Sequence, residues 1–116
     1  MDESRQKSVK FASDSIENTF LELKSGKFHE KELAKWIEKA IIKLVENQLI
    51  GVVVPQKLWP VEYVRNYGIN NLRKCNLPGG WRLRYTVKAN NVEIIPIILE
   101  WLPHHEYERR FGYKQS

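Results

Sequence analysis

The sequence predicts an α+β fold: an N-terminal helical hairpin packed on one face of a small, mostly antiparallel sheet of about four strands. Two observations carry this expectation. Apolar residues recur at helical spacing in two runs between Ile16 and Gln48, joined by "SGKFH". Three strand-like segments then follow, separated by the turn sequences "PGG" and "ANN". With 116 residues, 42% hydrophobic and 28% charged, the chain suits one globular domain. That domain is expected to span 1–116, with residues 1–7 flexible.

In chain order, "SVKFA" (Ser8–Ala12) is a first short strand. Ser13 or Asp14 suits a helix N-cap, and Ile16, Phe20 and Leu23 form one helical face. Ser25-Gly26 ends that helix. In the second helix Leu33, Ile37, Ile41, Leu44 and Gln48 step by three or four residues. Trp36, Ala40 and Val45 widen the stripe, and Lys31, Lys35, Glu38, Lys39 and Lys43 lie mainly on the other side. The segment "QLIGVVVPQKLWPVEYVRNYG" reads as a connector holding a short helix that starts at Pro60 and closes at Gly68. Strands are then expected over Asn71–Leu77, Trp81–Lys88 and Val92–Trp101. The last is apolar on both faces, so it should be central and covered on both sides. Pro96 lacks a ladder donor, which calls for a bulge there or a nitrogen facing an unpaired edge. "HHEYERRFGY" is expected to add a short C-terminal helical turn.

Charge is unevenly spread. Residues 1–56 hold nine Lys/Arg and nine Asp/Glu, whereas residues 57–116 hold ten and five, so the whole net charge of +5 lies in the second half. Such asymmetry points to an anionic partner, nucleic acid being the commonest, or to a basic solvated surface. The single cysteine, Cys75, excludes an internal disulfide and favours a reducing cytoplasm. Met1–Lys10 is too charged for a signal peptide. The longest apolar run, Val92–Leu102, contains two glutamates and is too short to span a bilayer. No membrane partner is expected.

In "LPGGWRLRYTVK" the even positions Arg82, Arg84 and Lys88 share one strand face, and Trp81, Leu83, Tyr85 and Val87 share the other. Of Arg73 and Lys74, which are adjacent, at most one joins the basic face. The tail adds His104, His105, Tyr107, Arg109, Arg110 and Tyr113. Cations interleaved with aromatics suit single-stranded RNA, since arginine grips phosphate at two points and aromatics stack on bases. The same strand arginines also fit solvated charge paired with Glu93 or Glu100. His104-His105 has no further ligand cluster at metal spacing, so neither a metal nor a cofactor is expected.

The order of elements, the stretch Gly80-Trp81-Arg82-Leu83-Arg84-Tyr85 and the tail "ILEWLPHHEYERRFGY" resemble the RelE/ParE superfamily of toxins, archaeal members most closely. The resemblance implies a metal-independent endoribonuclease, neutralised by a cognate antitoxin protein and acting on mRNA, commonly on the ribosome. It implies Arg82, His104, His105 and Tyr107 as catalytic residues. RNA-binding roles fall to Arg73, Lys74, Arg84, Lys88, Arg109, Arg110 and Tyr113. The alternatives are a non-catalytic gyrase inhibitor of the ParE type and an inactive RNA-binding module of the same fold. Oligomeric state stays open.

Overall fold

The computed structural model describes residues 8–103. The N-terminal residues 1–7 and the expected C-terminal helical turn lie outside them. Within the described residues the chain is α+β, with three α-helices and a five-stranded mixed sheet.

Strand β1 is Lys10–Phe11, and helix α1 follows at Asp14–Lys24. Ser13 is the N-cap: its Oγ accepts from the Ile16 N–H at 3.2 Å, which satisfies one of the helix's orphan donors. Helix α2 runs Phe28–Glu46 and starts earlier than its apolar stripe suggests. The Lys27 N–H donates to Glu30 Oε1 at 2.7 Å, so the carboxylate starts the helix inside "SGKFH". A Lys24–Glu38 ion pair at 3.2 Å links the two helices.

After α2 comes β2 (Val52–Val53), and then a 3₁₀ turn at Gln56–Leu58 leads to helix α3 (Val61–Tyr67). Gly68 caps α3 with φ 60° and ψ 38°, a left-handed conformation that glycine adopts without a Cβ clash. Strands β3 (Arg73–Asn76), β4 (Trp81–Ala89) and β5 (Ile94–Pro103) complete the sheet. Its order is β1-β5-β4-β3-β2, with β1 parallel to β5 and the other neighbours antiparallel.

The expected count of about four strands therefore becomes five. The extra strand, β2, is two residues long and lies in the stretch read as a connector; it pairs Val52 with Lys74 and Val53 with Arg73. Strand β5, expected to be central, stands second in the order, between β4 and the two-residue β1; the central strand is β4. The ladder runs through Pro96, which faces Val87, with no irregularity there. Among the described residues β1 pairs β5 only at Ile97 and Ile98, so Pro96 sits beside an edge that carries no strand. The bulge falls elsewhere, between Arg84 and Tyr85, where Leu99 is the extra residue of β5.

Two cores result. Under the helical hairpin, Phe20, Leu33, Ile37 and Leu44 pack on Leu83, Tyr85 and Ile98. Ile37 and Leu44 are wholly buried, each contributing about 1.5–3 kcal/mol by transfer from water. On the other sheet face, Val54, Tyr63, Ile69 and Leu72 pack on Leu99 and Leu102. The connector and α3 thus cover part of the face opposite the hairpin. The even-numbered side chains of β4 lie on this face too: Arg84 and Thr86 are buried there, whereas Arg82 is half-buried and Lys88 exposed.

Candidate nucleic-acid interface

Strand β4 alternates as its sequence requires. Leu83 and Tyr85 belong to the core beneath the helices, which directs Arg82, Arg84, Thr86 and Lys88 to the opposite face. Register extends this face sideways. On β3, Lys74 lies across from Arg84 and Asn76 across from Arg82. On β5, Glu100 lies across from Arg84 and Leu102 across from Arg82. Directly opposed residues have Cβ atoms about 4.5–5.5 Å apart. Lys74, Arg82 and Arg84 therefore form one cation cluster.

Electrostatics agree with the geometry. The Lys74 ammonium is held below its usual pKa range, first by partial burial and then by the charges of Arg82 and Arg84. Two cations facing each other across a ladder repel, which favours an anionic partner at the Lys74 end of the pair. Arg82 is half-buried. Its Nη1 donates to the carbonyl oxygens of Gly80 at 3.2 Å and Trp81 at 3.4 Å, which ties the guanidinium to the Pro78–Gly80 turn.

Arg84 differs from Arg82 in depth. Its side chain is fully buried, so it acts on the cluster as charge from beneath. It stands between Lys74 on one side and Glu100 on the other. Glu100 also accepts a hydrogen bond from the Tyr63 hydroxyl of α3. A cleft of about 380 Å³ opens beside this pair, between α1, α3 and β5.

The remaining candidates separate. Arg73 points to the helix side: its Nη1 donates to the Leu49 and Gly51 carbonyl oxygens at 3.1 and 2.7 Å. Lys88 is exposed on the same face as Arg82, but it stands three alternations along the strand, near the Asn90 turn. His104, His105, Tyr107, Arg109, Arg110 and Tyr113 lie outside the described residues. The chain leaves the sheet at Pro103, which lies across from Trp81, next to Arg82.

Among the described residues no cluster of three or more His, Cys, Asp or Glu is placed to hold a metal ion. No described helix is long and apolar enough to cross a membrane.

Two contributors escaped the sequence. Tyr63 reaches Glu100 only because α3 folds back over the sheet, and no local pattern announces that. Asn76 joins the cluster through the β3–β4 register, which the "PGG" turn sets: the Leu77 N–H donates to the Trp81 oxygen at 2.8 Å. Comparison with known proteins finds no matching family model, no matching curated protein and no matching solved structure.

Proposed function

We propose that this chain is a RelE-like toxin of a toxin–antitoxin pair. It would act in the cytoplasm as a metal-independent endoribonuclease on mRNA, in particular ribosome-bound mRNA. The observation that carries the reading is the gathering of Lys74, Arg82 and Arg84 on one sheet face, two of them directly opposed. A rigid strand supports them: Leu83 and Tyr85 are fully buried behind. A phosphodiester in the act of cleavage needs this arrangement, because negative charge grows on its non-bridging oxygens.

In the proposed reaction the ribose 2′-oxygen attacks the adjacent phosphorus. The 2′-O–P bond forms and the P–O5′ bond breaks. A base takes the 2′-hydroxyl proton and an acid returns one to the departing 5′-oxygen, leaving a 2′,3′-cyclic phosphate and a 5′-hydroxyl. Arg82 and Lys74 hold the phosphate, and Arg84 adds field from below. Acid and base are assigned to His104, His105 and Tyr107, which come after Pro103 in the sequence. A cognate antitoxin with acidic groups would neutralise the same cations.

The test is induced expression followed by mapping of mRNA ends. Wild type should arrest growth and leave 5′-hydroxyl ends. Arg82→Ala should lower cleavage by about 10²–10³-fold, as for loss of one oxyanion donor. Intact mRNA under wild-type expression, with ribosomes present, defeats the reading.

A further inference from the structure

The second helix carries a lysine ladder that the cleavage site does not use. Lys31, Lys35, Lys39 and Lys43 recur every four residues and are all exposed. Side chains at this spacing stand about 5–6 Å apart, a step similar to that between successive phosphates of a nucleotide chain. The ladder runs about 18 Å along the helix. Among the described residues only Lys35 of the four has a carboxylate in range, Glu32 at 3.8 Å. Two further acids of α2 are engaged elsewhere: Glu38 pairs with Lys24 of α1, and Glu30 accepts from the Lys27 N–H.

The C-terminal end of this ladder enters a cleft of about 350 Å³ between α2 and the β2–β3 edge. Its walls include Lys39, Lys43 and Trp36 on the helix and Lys74, Cys75 and Asn76 on β3. Among the described residues no Asp or Glu lines it. Two of these residues, Lys74 and Asn76, also pair with Arg84 and Arg82 in the β3–β4 ladder, so the cleft and the sheet-face cluster share them. A half-buried tryptophan on the rim offers a ring on which a base stacks.

We propose that the α2–β3 cleft is a second RNA-binding site, in which Lys39 and Lys43 hold phosphates of the single strand flanking the cleaved bond. The inference deepens the ribonuclease reading and rests on RNA being the ligand. An RNA strand fits better than an acidic peptide. The ladder repeats at a constant step, and the cleft shares Lys74 with the cluster proposed to hold the scissile phosphate.

The experiment measures binding of a cleavage-resistant 2′-O-methyl RNA of about eight nucleotides, a length within one single-strand site, and of a trinucleotide, across a salt series. Wild type, Lys39→Gln/Lys43→Gln, Lys39→Arg/Lys43→Arg and Arg82→Ala are compared, with poly-glutamate as competitor. The double Gln variant should lower the slope of log affinity against log salt by about 1.4, two phosphates at about 0.7 each. It should weaken the longer RNA about tenfold, spare the trinucleotide, and leave thermal stability unchanged because both lysines are exposed. The Arg variant should bind as wild type does. If the double Gln variant binds the longer RNA normally while Arg82→Ala does not, the second site is refuted and the ribonuclease reading stands. If it loses poly-glutamate but keeps RNA, the cleft is a peptide site and the proposal falls. If wild type binds no RNA, the ribonuclease reading fails and takes this site with it.

Discussion

Lys74 and Arg84 face each other directly across the β3–β4 ladder, two cations in one register pair. Opposed like charges destabilise a sheet by about 0.2–1 kcal/mol, and partial solvent exposure of Lys74 places this pair toward the lower end. Lys74→Met should therefore raise the denaturant midpoint while weakening RNA binding. Gain of stability with loss of binding is the signature of a site selected for its ligand. The pH dependence has a definite sign. The folded-state pKa of Lys74 lies below the unfolded value of 10.5, so its cost is full below the folded value and vanishes as pH rises toward 10.5. The stability difference between Lys74→Met and wild type should shrink over that range, and also with added salt. A Lys74→Met protein less stable than wild type at neutral pH contradicts the assignment.

Tyr85 ties the loop after α2 to the sheet. Its hydroxyl accepts from the Gly51 N–H at 2.9 Å and donates to the Gln48 oxygen at 3.0 Å. Burial, the largest cause, pushes its pKa up to about 12. The folded value exceeds the unfolded value of about 10, so this contribution to stability is complete below pH 10. It is lost as pH climbs through 10 toward about 12. Tyr85→Phe should cost about 1–3 kcal/mol at neutral pH by orphaning the Gly51 N–H. It should also remove this component of the alkaline decline. Stability curves of the two proteins between pH 9 and 12, with phenolate absorbance followed in parallel, check both statements.

Helices α1 and α2 were legible because their apolar period of three to four residues is long and uninterrupted. Strand β4 was legible because its alternation is strict. Alternation assigns a face, however, and says nothing about depth. It grouped Arg84 with Arg82, although the first is fully buried and the second only half. The choice between Arg73 and Lys74 needed the register, which depends on how the Pro78–Gly80 turn joins β3 to β4. Strand β2 escaped because two paired residues leave no periodic trace, and Pro55 beside them reads as a breaker. Pro96 left two readings open, a bulge or a nitrogen at an unpaired edge, and the second is the one found. A proline costs a ladder donor only where a neighbouring strand asks for one, and β1 stops short of it.

Glu100 answers Arg84 from the β5 side and holds the Tyr63 hydroxyl of α3. Glu100→Gln keeps the shape and removes the charge. It should cost about 1.5–3 kcal/mol, the range for hydrogen bonds to charged groups. Adding Arg84→Met should recover part of the loss, because a buried cation no longer needs an opposite charge. A double-mutant cycle read by denaturant unfolding gives the coupling. Strict additivity of the two substitutions would show that register alone, without energetic coupling, relates them.

Gly51 is the narrowest point between the α2–β2 loop and the sheet. A Cβ there would lie 2.7 Å from the Lys74 carbonyl oxygen and 2.7 Å from the Tyr85 ring and hydroxyl. Neither neighbour yields easily: one is ladder backbone and the other a wholly buried side chain. Gly51→Ala should therefore push β2 off β3 and cost about 1–3 kcal/mol, the usual range for overpacking. The damage should be local first. The Val54 N–H, which donates to the Leu72 oxygen at 2.9 Å next to β2, should exchange faster with solvent, while amides of α2 and β5 keep their protection. Because β2 and β3 form one wall of the lysine-lined cleft, the same variant should weaken binding of the longer RNA and spare the trinucleotide. Normal stability and exchange in Gly51→Ala would mean that the loop accommodates a methyl group, which contradicts the steric assignment.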